Sequence, residues 1–258
     1  MNENKVTNER KEHLFLAKLA EETGRYQEMA EHVKKLVLTC NEEEGLSADE
    51  RNLFSLAYKQ ISSKKRSSWR ILVAKQQREE NKGNLHNAKL TKTYRKRLEN
   101  ELNGVCEEVL ELLEEKIIPN CSNDECRVFF YKMKADYLRY EAEILHEKKR
   151  VRVAQRSLDF YSRATQIAES LPLTHPIRLG VALNFAVFYF EVMKNAEMAC
   201  DIAKNTLEEV VSMLSSTPEE HYNESTSILQ ILRDNLTLWS NSFPEDYEDS
   251  DEEKEDDE

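Results

Sequence analysis

Residues that stop a helix are few in this chain and fall at nearly regular intervals. Its 258 residues include five glycines and five prolines. The breaking positions gather at Gly24, Cys40 to Ser47, Gly83, Pro119 to Asn123, Pro172 to Pro176, Lys194 to Ala196 and Ser215 to Pro218. The stretches between them are rich in Leu, Glu, Lys and Ala, which give up little rotamer freedom in a helix. The spacing predicts nine helices, at roughly 5–20, 25–39, 47–80, 85–118, 123–146, 151–170, 176–193, 197–214 and 219–241. Two of these exceed 30 residues, well above the ~11 to 12 of an average globular helix, which predicts long rods stacked side by side. Cap residues support several starts: Ser47 precedes Glu50 by three, Thr217 precedes Pro218 and Glu220, and Asp124 opens the fifth segment. No unit recurs at the ~34-residue period of a tetratricopeptide array. The prediction is an all-α fold, with one helical domain over 1–241 and a disordered acidic tail over 242–258.

The formal charge of -12 belongs to that tail, because Asn241 to Glu258 hold 11 carboxylates and one lysine, a net -10, which leaves -2 for residues 1–240. A body so nearly neutral lacks the basic excess of a nucleic-acid binder, and no nucleic acid is expected as a partner. Cys40, Cys106, Cys121, Cys126 and Cys200 form no CxxC pair and no zinc-like Cys/His spacing, so reduced thiols, no metal and no cofactor are expected. The chain opens on no basic-then-apolar leader, and its longest near-apolar run, Val181 to Phe190, falls far short of the ~20 residues that span a bilayer. A reducing cytoplasm, with the nucleus open to it, is the expected compartment, with no membrane partner, and the sequons at Asn120, Asn223 and Asn235 are then coincidental. The motifs HExxH, GxGxxG, GxSxG and the Walker lysine are all missing, and the six histidines are scattered. No catalytic residue is assigned, and no enzymatic activity is expected.

Three features stand out against this background. From Arg51 through Arg78 there are eight basic residues and no acidic one. At 100° per residue Lys59, Ser63, Arg66 and Arg70 fall within about 60° of one another, a basic stripe over three turns. Such a stripe is either a solvated face that attracts Glu from a neighbouring helix or an anion-binding surface. In the last helix, Ile228, Ile231, Asn235, Leu238 and Trp239 share one side, so Asn235 sits inside an apolar arc. In the seventh, Asn184, Val187 and Glu191 share a face with Ile177 and Gly180. A buried amide without partners costs about 1–3 kcal/mol, so each asparagine either closes a structural network or meets a polar ligand. Arg139 is equally open, since Glu143 stands four residues on, at ion-pair spacing.

The blocks ERNLFSLAYKQISSKKRSSWR, FYKMKADYLRYEAE, THPIRLGVALNFAVFYFEV and STSILQILRDNLTLW resemble the 14-3-3 protein family, in family order and at family spacing over nearly the whole chain. The resemblance implies nine antiparallel helices, a cup-shaped protomer with an amphipathic groove, a homo- or heterodimer with 14-3-3 protomers, and an adaptor that binds phosphoserine or phosphothreonine motifs of client proteins in signalling. A helical scaffold for unphosphorylated peptides is the alternative. The family's phosphate-binding positions fall on Lys59, Arg66, Arg139 and Tyr140. Its peptide-binding positions fall on Lys132, Leu183, Asn184, Val187, Glu191, Ile228, Ile231, Asn235 and Trp239. The dimer interface carries over as Leu19, Arg25, Glu28, Tyr94, Arg97 and Glu101, with Arg25 to Glu101 and Glu28 to Arg97 as cross-protomer ion pairs, and Ser68 matches a serine near that interface.

Two departures bear on client choice. Ser227 stands where the family usually has Leu, and Ser62 to Lys65 replace a more apolar turn of the third helix.

Overall fold

The computed structural model describes residues 2–39, 45–214 and 218–241. Among them there is no strand. The nine α-helices are α1 (Asn2–Glu22), α2 (Tyr26–Thr39), α3 (Ala48–Asn81), α4 (Leu85–Leu112), α5 (Asp124–Ile144), α6 (Glu147–Ala168), α7 (Pro176–Phe188), α8 (Ala196–Val211) and α9 (Glu219–Ser240). The all-α expectation holds, and most boundaries fall within a few residues of the predicted ones. Two predicted ends differ because the chain changes its winding rather than stopping. Beyond α4 it widens to a π-helix over Leu113–Ile117 and tightens to a 3-10 turn over Ile118–Asn120, and α7 passes into a π-helix over Tyr189–Met193. The tail over 242–258 and the Thr217 cap lie outside the described residues.

The caps explain the sharp starts and stops. Ser47 Oγ accepts from the Glu50 N–H while Glu50 Oε2 accepts from the Ser47 N–H, a reciprocal box that satisfies two donors at the head of α3. At α5 the capping side chain is Asn123, which accepts from the Cys126 N–H at 2.8 Å; Asp124, expected to open the helix, is its first helical residue. Gly24 and Gly83, at φ 68° and 73°, end α1 and α3 in the left-handed conformation that an L side chain resists. The residue after each glycine reaches back to satisfy a helix carbonyl: Arg25 N–H to Ala20, and Asn84 N–H to Glu79.

The chain forms two compact units, Met1–Pro172 and Leu173 onwards. In the first, α3 and α5 supply fully buried aromatics: Phe54, Tyr58 and Phe130, with the Phe54 ring 5.0 Å from Tyr58 and edge-on to Phe130 at 6.4 Å. Polar cross-links fix how the surrounding helices sit. Glu108 of α4 accepts from the Tyr58 hydroxyl at 2.5 Å and from Lys34 of α2 at 2.6 Å, so one carboxylate holds three helices. Arg10 of α1 grips Glu50 of α3 through both oxygens, at 2.8 and 2.7 Å.

The second unit is built from α7, α8 and α9. Leu179 and Ala186 of α7 pack with Ala199, Ala203 and Val210 of α8 and with Leu229, Leu232 and Trp239 of α9. Ser225 Oγ donates to the Thr174 carbonyl at 2.7 Å and ties the start of α9 to the chain just before α7. The window Pro176–Met193, wider than the run counted from Val181, has the length and composition of a membrane span at a mean hydropathy of 1.3. Here its apolar side chains pack against α8 and α9.

Glu50 carries a testable consequence. Burial opposes its ionisation, but the Arg10 guanidinium and the Ser47 N–H together hold its carboxyl below the ordinary range. A depressed carboxyl contributes stability that is complete above its unfolded value of about 4.3 and is lost as pH falls through the folded value. Glu50→Gln is expected to lower the unfolding free energy by about 2 kcal/mol at neutral pH and to flatten the acid limb below about pH 4.5. Urea titrations from pH 7 to pH 3 read both, and an acid limb as steep as wild type would refute the assignment.

Candidate functional site

Lys59, Arg66, Arg139 and Tyr140 all lie in the first unit, on α3 and α5. The sequence places them there by helix period. The face of α3 bearing Leu53, Phe54, Ala57 and Tyr58 is buried, which leaves Lys59, Ser63 and Arg70 exposed and Arg66 half-buried. On α5 every residue from Met133 to Arg139 is buried, so Arg139, 5% exposed, is a core guanidinium with one side toward the cluster.

Glu143 organises the cations. Arg66 donates to it in bidentate fashion, Nε at 2.9 Å and NH2 at 2.5 Å, while Arg139 NH1 stands at 3.5 Å and Arg70 at 3.8 Å. The Arg66 guanidinium lies over the Tyr140 ring at 3.9 Å, and that of Arg139 lies 4.7 Å from the same ring. Tyr140 is therefore a platform that holds two guanidinium planes close together. The ion-pairing expectation holds for both arginines, since the basic stripe draws a Glu from a neighbouring helix and Arg139 faces Glu143.

A second carboxylate supports the arrangement from below. Asp136 accepts from Lys132 at 3.0 Å, from the Tyr161 hydroxyl at 2.5 Å and from Arg139 at 3.4 Å. Tyr161 also accepts from Arg139 Nε at 3.1 Å. Burial works against the charge on Asp136, yet Lys132, Arg139 and the Tyr161 hydroxyl keep its carboxyl below the usual range. Burial drives the Tyr161 hydroxyl well upward, so it remains a donor at any ordinary pH. Asp136, Glu143 and Tyr161 were not singled out as site residues from sequence. The signal available was the i, i+3 and i, i+4 spacing of the two carboxylates about Arg139; Tyr161 comes from α6 and gave none.

Chemically, the cluster is a cation surplus: Lys132, Arg66, Arg70 and Arg139 surround two carboxylates, with Lys59 exposed on the same α3 face. It can accept a compact dianion, with two guanidinium groups already oriented as donors. Among the described residues no three His, Cys, Asp or Glu gather as a metal site would require.

The remaining expected peptide-binding residues lie in the second unit. Leu183, Asn184, Val187 and Glu191 are half-buried, and Leu183, Val187 and Ile228 pack partly on the core. On α9 two stripes run side by side. Leu229, Leu232 and Trp239 form the core stripe, while Ile228, Ile231, Asn235 and Leu238 form a more open one, with Ile231 47% and Leu238 65% exposed. Trp239, expected on a binding surface, is 3% exposed and stacks on Phe190 at 5.1 Å and 19°, so it backs the open stripe from within. Ser227 is exposed and donates to the Asn223 carbonyl at 2.7 Å.

The expected interface residues cluster in the first unit. Leu19 and Tyr94 are exposed apolar side chains. Arg25, Glu28, Lys65 and Ser68 line a cavity of about 510 Å³ between the α1–α2 turn and α3. Within the chain Arg25 pairs with Glu28, and Glu101 accepts from Lys65 at 2.7 Å and lies 3.6 Å from Arg97. Cross-protomer pairing would exchange these partners.

The sequence profile of the family described as 14-3-3 protein matches residues 16–240. The 14-3-3-like protein GF14 iota of Arabidopsis thaliana is 46% identical over 239 residues, covering 92% of this chain and 88% of the relative. The 14-3-3 protein 2 of Entamoeba histolytica is 46% identical over 237 residues, 92% and 98% of the two chains. The checkpoint signal transducer rad24 of Schizosaccharomyces pombe is 47% identical over 235 residues, 91% and 86%. An all-α chain matched along nearly its full length by a family of signalling adaptors is no isolated likeness of motifs, and the chain belongs to the 14-3-3 protein family.

Proposed function

We propose that this chain is a dimeric, non-catalytic adaptor that grips phosphoserine and phosphothreonine segments of client proteins in the cytoplasm, with the nucleus open to it, and with no membrane or nucleic-acid role. The observation that carries the reading is the cation surplus around Tyr140. A phosphate monoester brings roughly -1.5 to -2 charge at neutral pH and three strong acceptor oxygens. Arg66 and Arg139 meet it as bidentate donors, Lys59 adds an exposed cation, and Glu143 is the internal anion that gives way. An unmodified serine offers the guanidinium groups nothing to replace Glu143, so the cluster stays closed on itself. Within the second unit, Asn184 and Asn235 supply amide groups for the main chain of a client, and Leu183, Val187, Ile228 and Ile231 supply apolar contacts for its side chains.

Two grooves on one dimer would raise the effective concentration of a doubly phosphorylated client. Association rests mainly on the apolar surface about Leu19, and the exposed ion pairs select the partner.

Two measurements test this. In anisotropy titrations a phosphoserine peptide is expected to bind wild type at least about tenfold tighter than its unphosphorylated twin, and Arg66→Glu is expected to erase the difference. Equal affinities for the two peptides on wild type would favour the scaffold reading instead. In sedimentation, Leu19→Asp should convert the dimer to monomer while Arg97→Ala leaves its mass unchanged; a dimer that survives the first change, or falls apart on the second, overturns the assignment of the interface.

A further inference from the structure

The turn that leads into α5 brings two thiols into contact. Cys121 follows the 3-10 turn in an extended conformation, and Cys126 is the third residue of the helix. Their Sγ atoms stand 2.7 Å apart, with Cys126 donating to Cys121 and Cys121 donating to the Ile117 carbonyl at 3.6 Å. Cys121 is 7% exposed, whereas Cys126 is only half-buried, so one sulfur faces solvent and the other waits behind it. Neither takes part in the Tyr140 cluster, and nothing in the adaptor reading uses them.

The surroundings favour a thiolate on the outer sulfur. Arg51 of α3 reaches this turn, where its guanidinium lies 3.5 Å from Glu125 and favours a negative charge on Cys126. The first-turn N–H groups of α5 point the same way. When Cys126 gives up its proton the Cys121 S–H turns from the Ile117 carbonyl toward it, and this bond, with help from Arg51 and against burial and the Glu125 charge, lowers Cys126 to about 7, while the same bond and burial raise Cys121. The inner sulfur therefore keeps the shared proton while the outer one is nucleophilic.

We propose that Cys121 and Cys126 form a redox-active dithiol, oxidised to an intrachain disulfide by low-molecular-weight disulfides such as glutathione disulfide. The Cys126 thiolate attacks one sulfur of the oxidant, forming a mixed disulfide and releasing one thiolate. Cys121 then loses its proton to solvent and attacks the Cys126 sulfur, which breaks the mixed disulfide and releases the second thiolate. Two protein thiols are oxidised and one small disulfide is reduced to two thiols. Ring closure spans only residues 121–126, includes the Asn123 cap, and removes the thiolate from beside Arg51.

The experiment uses the full chain, reduced and then exposed to glutathione disulfide, with thiols trapped by alkylation. The tryptic peptide Ile117 to Arg127 contains both cysteines and reports the state directly. Wild type should yield this peptide lighter by two hydrogens, with no adduct. Cys121→Ser should hold a stable glutathione adduct on Cys126, and Cys126→Ser should leave Cys121 unmodified on the same timescale. Arg51→Gln should slow the wild-type reaction about two- to threefold at pH 7, because a higher thiol value reduces the thiolate fraction more than it raises nucleophilicity. A wild-type peptide that keeps its adduct without closing, or a Cys121 that reacts in Cys126→Ser as fast as Cys126 does in Cys121→Ser, would overturn the proposal.

Discussion

The first unit is arranged around charges that α5 carries into its interior. Asp136 and Arg139 are each 5% exposed, a placement that costs several kcal/mol per ion unless every charge finds partners. The partners come from three helices: Tyr161 of α6 contacts both ions, Lys132 holds Asp136 from the same helix, and Arg66 of α3 shares Glu143 with Arg139. Each buried charge is shared among partners on different helices, which favours one mutual arrangement of α3, α5 and α6. The cluster is thereby preorganised: two guanidinium planes are already set against the Tyr140 ring before any ligand arrives.

That preorganisation needs long, straight supports, and the sequence provides them by withholding breakers. α3 runs 34 residues from a capping box at Ser47 to a left-handed glycine at Gly83. Its buried face fixes the rotation of the rod, so that Lys59, Arg66 and Arg70 emerge together. Rotation is fixed in turn by Phe54 and Tyr58, packed against Phe130 and hydrogen-bonded to Glu108.

What local pattern could reveal, the sequence did reveal: the helices, the cap at Ser47, the basic stripe and the i, i+4 pairing of Arg139 with Glu143 are all encoded within a few turns. What it could not reveal depends on distant chain. Arg66 finds Glu143 77 residues away, and Tyr161 lies 22 residues beyond Arg139, so no window contains either pair. On α9 the wheel placed Trp239 with Ile228 and Ile231, because a wheel shows that an arc is apolar and cannot say which part of it meets the core. Packing against Leu179 and Ala199 decides this, taking Trp239 inward and leaving Ile231 outside. Asp124 does open α5, but the capping side chain is its neighbour: Asn123 and Asp124 are both good caps, and only the backbone shows which one receives the Cys126 N–H.

The closed form of the cluster also sets what the adaptor can distinguish. Glu143 presents one negative charge and two oxygens to Arg66 and Arg139, and it is tethered at no cost in translational freedom. A competing carboxylate from a client would offer the same charge and geometry while losing the freedom of an untethered partner, so it gains nothing by entering. A phosphate offers about twice the charge and a third oxygen, and in the proposed function these would engage both guanidinium groups. On the proposed function, selectivity for phosphate over an acidic side chain would arise from competition with an internal anion, and the strength of that anion's pairing would set the threshold a ligand must exceed.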